Sequence, residues 1–260
     1  LRLWLSLFIE APNELKTSVE PILPSLDFKV RQGDSLVQRV GSKLFPVSGH
    51  IQIQSNAVKS KITQLKNLKI EYFNNKTVIQ SWELKQREME IYNEILDSEI
   101  QEKENGWRNF KNTKPAKTVS LFGAGKEPEQ ITLELDKEKI EKLKKEIAEL
   151  KGQKSVLRED KPLVWGIEFA EIFAEKDGFD IVIGNPPYVR QEGIADPTEK
   201  IKDKKEYKNL LVEIVKLDFP DDFPLKMKIN AQSDIYTYFY VRGLRLLNPQ
   251  GIHCFICSRH

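Results

Sequence analysis

Cysteine is scarce in this chain of 260 residues, limited to Cys254 and Cys257. Two are too few for a disulfide framework and suit a reducing compartment, so a cytoplasmic location is expected. Their C-x-x-C spacing falls within a predicted strand, 252–257, where residues three apart face opposite sides. A shared metal is excluded there, no metal site is expected elsewhere, and both thiols are expected in the core. No apolar run approaches the roughly 18 residues of a membrane span, and there is no signal peptide, so no membrane partner is expected. Neither sign of charge dominates, with 41 Lys and Arg against 39 Asp and Glu. Any affinity for nucleic acid must therefore come from local patches. Methionine is limited to Met89 and Met227, and the chain opens on Leu1 inside the apolar run 1–9. Such a start reads as a piece of a longer protein.

What is present divides the chain into three parts. Residues 1–10 read as an amphipathic or buried helix, stopped at Ala11-Pro12-Asn13. Leu26-Asp27-Phe28-Lys29-Val30-Arg31 alternates with period two, as a half-buried strand does, and runs into the turn Gln32-Gly33-Asp34-Ser35-Leu36. From about Val58 to Leu157 the composition turns to lysine and glutamate with helical periodicity. Val58, Ile62, Leu65, Leu68 and Tyr72 share one face. Ile140, Leu143, Ile147 and Leu150 form a short heptad seam, which predicts an antiparallel helical hairpin around a loop at 105–130. Phe122-Gly123-Ala124-Gly125-Lys126 lies in that loop, follows no strand and opens no helix, so it reads as plain surface. Beyond 160 an α/β pattern resumes: a short amphipathic segment at 165–173, a strand at 179–184, helical or mixed residues at 199–217, a helix from about 233 to 247 and the final strand.

The strand 179–184, Phe-Asp-Ile-Val-Ile-Gly, runs directly into Asn185-Pro186-Pro187-Tyr188. A strand ending in Asn-Pro-Pro-Tyr provides an amide oxygen and a carbonyl on a backbone that the prolines stiffen, with an aromatic ring beside them. Read as plain structure, the same four residues are a proline-rich turn capping a buried strand.

The stretch 179–194, FDIVIGNPPYVRQEGI, resembles the catalytic strand and loop of N6-adenine-specific DNA methyltransferases of the NPPY class, as found in type IIG-like restriction–modification proteins. The resemblance covers roughly residues 1–40 and 160–260. It implies an α/β fold: a partial class I S-adenosylmethionine-dependent methyltransferase (Rossmann-like) sheet, strands 3 to 5, with a large helical insertion. The expected organisation is a first part of the core at 1–55, the insertion at 56–160 and a second part of the core at 161–260.

The implied chemistry is transfer of a methyl group from S-adenosyl-L-methionine to the N6 amine of an adenine flipped out of double-stranded DNA. That amine is a poor nucleophile because its lone pair is delocalised into the ring. Two acceptors, the Asn185 amide oxygen and the Pro186 carbonyl, would draw it toward tetrahedral geometry and stabilise the charge developing on nitrogen. Tyr188 would stack on the flipped base. By the same resemblance Asp34 and Asp234 are cofactor-contact candidates, with an Asx turn and a helix N-cap as their structural alternatives. Arg190, Lys204 and Lys205 are the candidates for DNA phosphate, against a solvated helix face for the lysines. The family's glycine-rich cofactor loop and its first two strands have no counterpart here. The chain is thus expected to be inactive alone and to need upstream and downstream segments or a complementing subunit. Three other readings stay open: a protein-glutamine methyltransferase, an RNA methyltransferase, or a non-catalytic interaction module or gene relic.

Overall fold

The computed structural model describes residues 6, 9–10, 12–13, 27–47, 56–112, 128–221 and 229–256, in two units, 1–32 and 33–260. In the first unit Ser6, Ile9, Glu10 and Asn13 are helical. Over its described residues, 27–31, the strand expected at 26–31 is not formed. Residues 27–29 make a turn with Phe28 at φ 64, and the Arg31 guanidinium lies 5.0 Å from the Phe28 ring centre. The alternating pattern is that of a strand, but a strand persists only where a neighbour accepts its hydrogen bonds. None of the described strands pairs with this segment.

The second unit opens on Gly33 at φ 152. A side chain there would bring its Cβ within 2.6 Å of the Leu163 Cβ, so only glycine permits the approach. The Asp34 turn leads into a minimal hairpin, β1 (Arg39–Val40) and β2 (Lys43–Leu44), joined by Gly41-Ser42 with Gly41 at φ 63. Three helices follow: α1 (Asn56–Phe73), α2 (Ser81–Asn112) and α3 (Pro128–Val156). Ion pairs Asp97–Lys154, Lys103–Glu146 and Glu104–Lys151 run in opposite directions along α2 and α3, so these two are antiparallel. The heptad seam holds: Leu150 is buried and Ile140, Leu143 and Ile147 are half-buried. On α1 the apolar face is interrupted, since Val58 and Leu65 are buried together with Lys69. The Phe122–Lys126 stretch lies outside the described residues.

These three helices are fastened to the rest of the unit at two places. Glu99 of α2 accepts hydrogen bonds from the Ser42 amide and hydroxyl at the tip of the hairpin. On its other side, Lys69 of α1 meets Glu88 of α2 at 2.7 Å and Glu171 at 3.5 Å, and donates to the Glu168 carbonyl at 2.6 Å. Lys161 reaches Glu168 and Glu88, and the Tyr92 hydroxyl donates to Glu168. Buried charges persist only when paired and hydrogen-bonded in this way.

Glu168 and Glu171 belong to α4 (Trp165–Glu168) and α5 (Ala170–Lys176), which deliver the chain to β3 (Phe179–Gly184). Phe179 is gripped by the rings of Phe169 and Phe173, with centroids 5.4 and 5.8 Å away, and by Trp165 at 6.1 Å. A 3₁₀ turn (Gln191–Gly193), α6 (Lys204–Asp218), α7 (Ile235–Leu246) and β4 (Leu247–Phe255) complete the unit.

Strands β3 and β4 pair in parallel, as a strand–helix–strand return requires. Phe179 faces Leu247 and Ile181 faces Ile252, so two steps on β3 match five on β4. The surplus is the Asn248-Pro249-Gln250-Gly251 turn, bulged out within the strand rather than preceding it. One face of the pair is covered by α7, where Gly243 sits against His253 and Phe255. The other face carries Ile181, Ile183, Ile252 and Cys254, all exposed. Cys254 is therefore a surface thiol rather than a core residue, because nothing among the described residues covers that side. Cys257 lies outside the described residues.

The main core joins Leu36 and Val37 to Ile194, Ile201, α6 and α7. At its edge Arg242 of α7 pairs with Asp218 of α6 at 2.5 Å and donates to the Leu36 carbonyl at 2.6 Å, while the Val47 amide donates to Asp218 at 2.7 Å. Removing one member of a buried pair strands the other charge. Replacing Arg242 with Leu should therefore cost about 3–5 kcal/mol of unfolding free energy, measured by urea denaturation.

The Lys69 cluster gives a pH signature. Burial pushes the Glu171 carboxyl above its ordinary 4.5, and the nearby Lys69 only partly opposes this while Glu88 adds to it. A raised carboxyl pKa in the fold means stability that is complete below pH 4.5 and lost as the pH rises through the folded value. The stability of Glu171→Gln relative to the parent should accordingly improve as the pH rises above 4.5, read from urea unfolding at each pH.

Candidate active site

β3 ends at Gly184, whose carbonyl accepts the Ile256 amide at 3.0 Å. A Cβ on residue 184 would lie 2.8 Å from the Phe255 ring, so glycine lets the two strands close up immediately before Asn185. Pro186 is buried and anchors the turn, while Asn185 and Pro187 are exposed. The Asn185 side chain makes no hydrogen bond to a described residue. Its amide thus stands at the carboxyl end of a parallel strand with its acceptor open, the place where open α/β sheets bind ligands.

Tyr188 is held at one end only. Its hydroxyl donates to the Ile256 carbonyl at 3.2 Å, and the residue remains 55% exposed. The ring is thereby tethered at its hydroxyl with its surface open to solvent. Arg190, two residues on, is exposed. Glu192 is held below the usual carboxylate range by its own backbone amide and by the Gln191 side chain, with the charges of Arg190 and Lys208 adding to this.

The loop is closed from above by the start of α7. Asp234 has the extended backbone of an N-cap, yet its side chain does not cap its own helix. Its Oδ1 accepts the Gln191 amide at 2.9 Å, and the adjacent Ile235 amide donates to the Val189 carbonyl at 3.3 Å. Of the candidate residues, Asn185, Pro186, Tyr188, Arg190 and Asp234 are thus gathered around one loop.

Asp34 stands in a different set of contacts. Its Oδ1 accepts the Leu36 and Val37 amides at 2.8 and 3.1 Å, and its Oδ2 accepts the Tyr207 hydroxyl at 2.8 Å. Burial raises its pKa, and these three hydrogen bonds oppose the rise. A carboxylate offers about four acceptor positions, so one remains open to an outside donor. The cavity beside it is small, about 70 Å³, lined by Gly33, Leu163, Asp196 and Tyr207 among others. Lys204 and Lys205 occupy the exposed first turn of α6, where the Lys205 amide donates to Asp203. Among the described residues, neither lysine forms a hydrogen bond or ion pair with the Asn185 loop.

Sequence reasoning gave no individual role to Tyr207, Gln191 or Val189. Tyr207 carried a signal, being the first large apolar-bodied residue after Lys204 and Lys205 on a helical face. The other two act through backbone atoms, which side-chain identity does not report.

The sequence profile of the Eco57I restriction-modification methylase family matches residues 1–260. The chain is 24% identical over 276 residues to a putative type II restriction enzyme and methyltransferase, RM.MjaORFECS2P, of Methanocaldococcus jannaschii, covering 98% of this chain and 20% of that protein. It is 38% identical over 80 residues to the type II methyltransferase M.BstVI of Geobacillus stearothermophilus, covering 31% of this chain and 11% of that one. The chain therefore spans only a fifth or less of the length of these relatives, and no solved structure matches it. A match running from the first residue to the last places this chain in the Eco57I restriction-modification methylase family.

Proposed function

We propose that this chain carries the amine-activating loop of a DNA methyltransferase acting on the N6 position of adenine, within a restriction–modification protein. The observation that carries the reading is the exposed Asn185 amide, its acceptor open at the end of β3, with buried Pro186 behind it. The Asn185 oxygen and the Pro186 carbonyl accept the two N–H bonds of the target amine, one each. This localises the lone pair and stabilises the positive charge that builds on nitrogen as the new bond forms. S-adenosyl-L-methionine, when bound, supplies an electrophilic methyl group. Asp34, through its remaining acceptor position, is the proposed contact for the amino group of that cofactor's adenine.

The base must leave the duplex to reach this loop. Tyr188, tethered at its hydroxyl and open on its ring, is suited to receive it by stacking. Arg190 is proposed to contact DNA phosphate beside the loop, and the exposed pair Lys204 and Lys205 to contact it farther along. A methyl-accepting amide or RNA base could use the same pair of acceptors. The substrate is therefore tested directly.

The test is methylation of adenine-containing duplex DNA by the full-length gene product, with labelled methyl donor. Asn185→Ala should abolish detectable transfer, at least about 100-fold, as expected for loss of a transition-state acceptor, while circular dichroism and the unfolding midpoint stay unchanged. Undiminished transfer by that variant would sink the assignment. Tyr188 separates anchoring from stacking. Tyr188→Phe should alter stability by no more than about 1 kcal/mol, since only an exposed hydrogen bond is lost. Tyr188→Ala should weaken binding of a flipped or abasic-opposed base by about 5- to 150-fold, the range for one base–aromatic stack.

A further inference from the structure

The Asn185 loop has two flanks, and they are held by different means. Its leading flank is fixed by β3 and by the bond from Ile256 to the Gly184 carbonyl. The trailing flank, after Tyr188, has no strand to hold it. There the chain meets α7 in two adjacent hydrogen bonds: Ile235 N to the Val189 carbonyl, and Gln191 N to Asp234 Oδ1. Together they clamp alternate loop residues against consecutive residues of the helix start.

Two features tie Asp234 to this clamp. An aspartate at an N-cap position ordinarily accepts an amide of its own helix, two or three residues on. Here that bond is absent, and the acceptor is given instead to a residue 43 positions earlier in the chain. The helix behind it is also a rigid support. Arg242 ties α7 to Asp218 and Leu36, the Tyr238 hydroxyl donates to the Asn230 carbonyl at 2.6 Å, and Gly243 sits against β4.

We infer that Asp234 is a positioning residue: through the Gln191 amide it fixes the trailing end of the Asn185–Tyr188 loop, and with it the aim of the Asn185 acceptor. It touches neither the donor nor the base. This rests on the proposed role of Asn185, which is why one arm of the test does not depend on catalysis. An acceptor misplaced by a fraction of its hydrogen-bond length loses most of its effect on a developing charge, so an unclamped loop lowers the rate of the chemical step more than it lowers binding.

The first arm is amide hydrogen exchange in this chain. In Asp234→Ala the Gln191 amide should exchange about tenfold faster or more, the loss of a hydrogen bond to a charged acceptor, while amides within α7 keep their protection. Asp234→Asn keeps an acceptor oxygen and should restore most of the protection. The second arm is single-turnover methyl transfer by the full-length gene product. Asp234→Ala should slow the saturated rate about tenfold, with the dissociation constant for S-adenosyl-L-methionine unchanged, and Asp234→Asn should recover most of the rate. Unchanged Gln191 exchange in Asp234→Ala overturns the inference. A weakened cofactor affinity with an unchanged saturated rate also overturns it, and makes Asp234 a cofactor ligand. If the parent protein does not methylate adenine at all, the proposed function fails, and Gln191 exchange still decides whether the clamp exists.

Discussion

The buried pair of Arg242 and Asp218 is the constraint on which the second unit depends. Residues 33–47 carry only a hairpin with two residues per strand, so most of their backbone groups have no ladder to join. Side chains from elsewhere supply the partners. Arg242 takes the Leu36 carbonyl and Asp218 takes the Val47 amide. Trp165 donates its indole N–H to the Ser35 carbonyl and its amide to Gln38, and Tyr207 holds Asp34. Burial pulls the Arg242 pKa down, and the carboxylates of Asp218 and Asp34 oppose it. The guanidinium therefore stays charged at the cost of its hydration, and it offsets that cost only by satisfying several groups at once.

The same logic explains how the three long helices are held. An amphipathic helix needs a surface to cover, and α1 offers its buried face to α2 and α5. On that face, toward the end of α1, stands Lys69, which an apolar seam would exclude. It answers the carbonyls at the end of α4 as well as Glu88 and Glu171. Helix ends leave carbonyls unpaired, and α4 is only four residues long, so it has no interior to spare. Lys69 of α1 thus completes the hydrogen bonding of the helices that lead into β3.

Legibility in the sequence tracked how local the determining interaction was. β3, α7 and the seam at Ile140–Leu150 were readable because period and composition suffice for an element that buries one face. The Leu26–Arg31 alternation misled for the same reason: it reports the preference of the segment and not the presence of a neighbour. Cys254 misled likewise, since a strand residue is buried only if something covers its side of the sheet. The loop around Asn185 was found from its four residues, whereas the Asp234–Gln191 contact was not. One partner there is a backbone amide, identical in every residue but proline. Lys69 was hidden within an apolar stripe, where a single lysine ordinarily marks the solvent edge.

A parallel sheet is normally buried on both faces and extends over several strands. Here β3 and β4 stand as a pair, with Ile181 57% and Ile183 75% exposed on the open face. Two strands alone are too weak to fix a loop firmly. The described residues compensate from the covered side and from the ends. Phe179 is gripped by three aromatic rings at the start of β3, the Gly184 carbonyl is tied to Ile256 at its end, and α7 clamps the chain beyond Tyr188. Each tie acts at a point where the ladder itself is silent. The position of Asn185 is therefore set less by the sheet that carries it than by side chains and helix starts that meet the loop from outside.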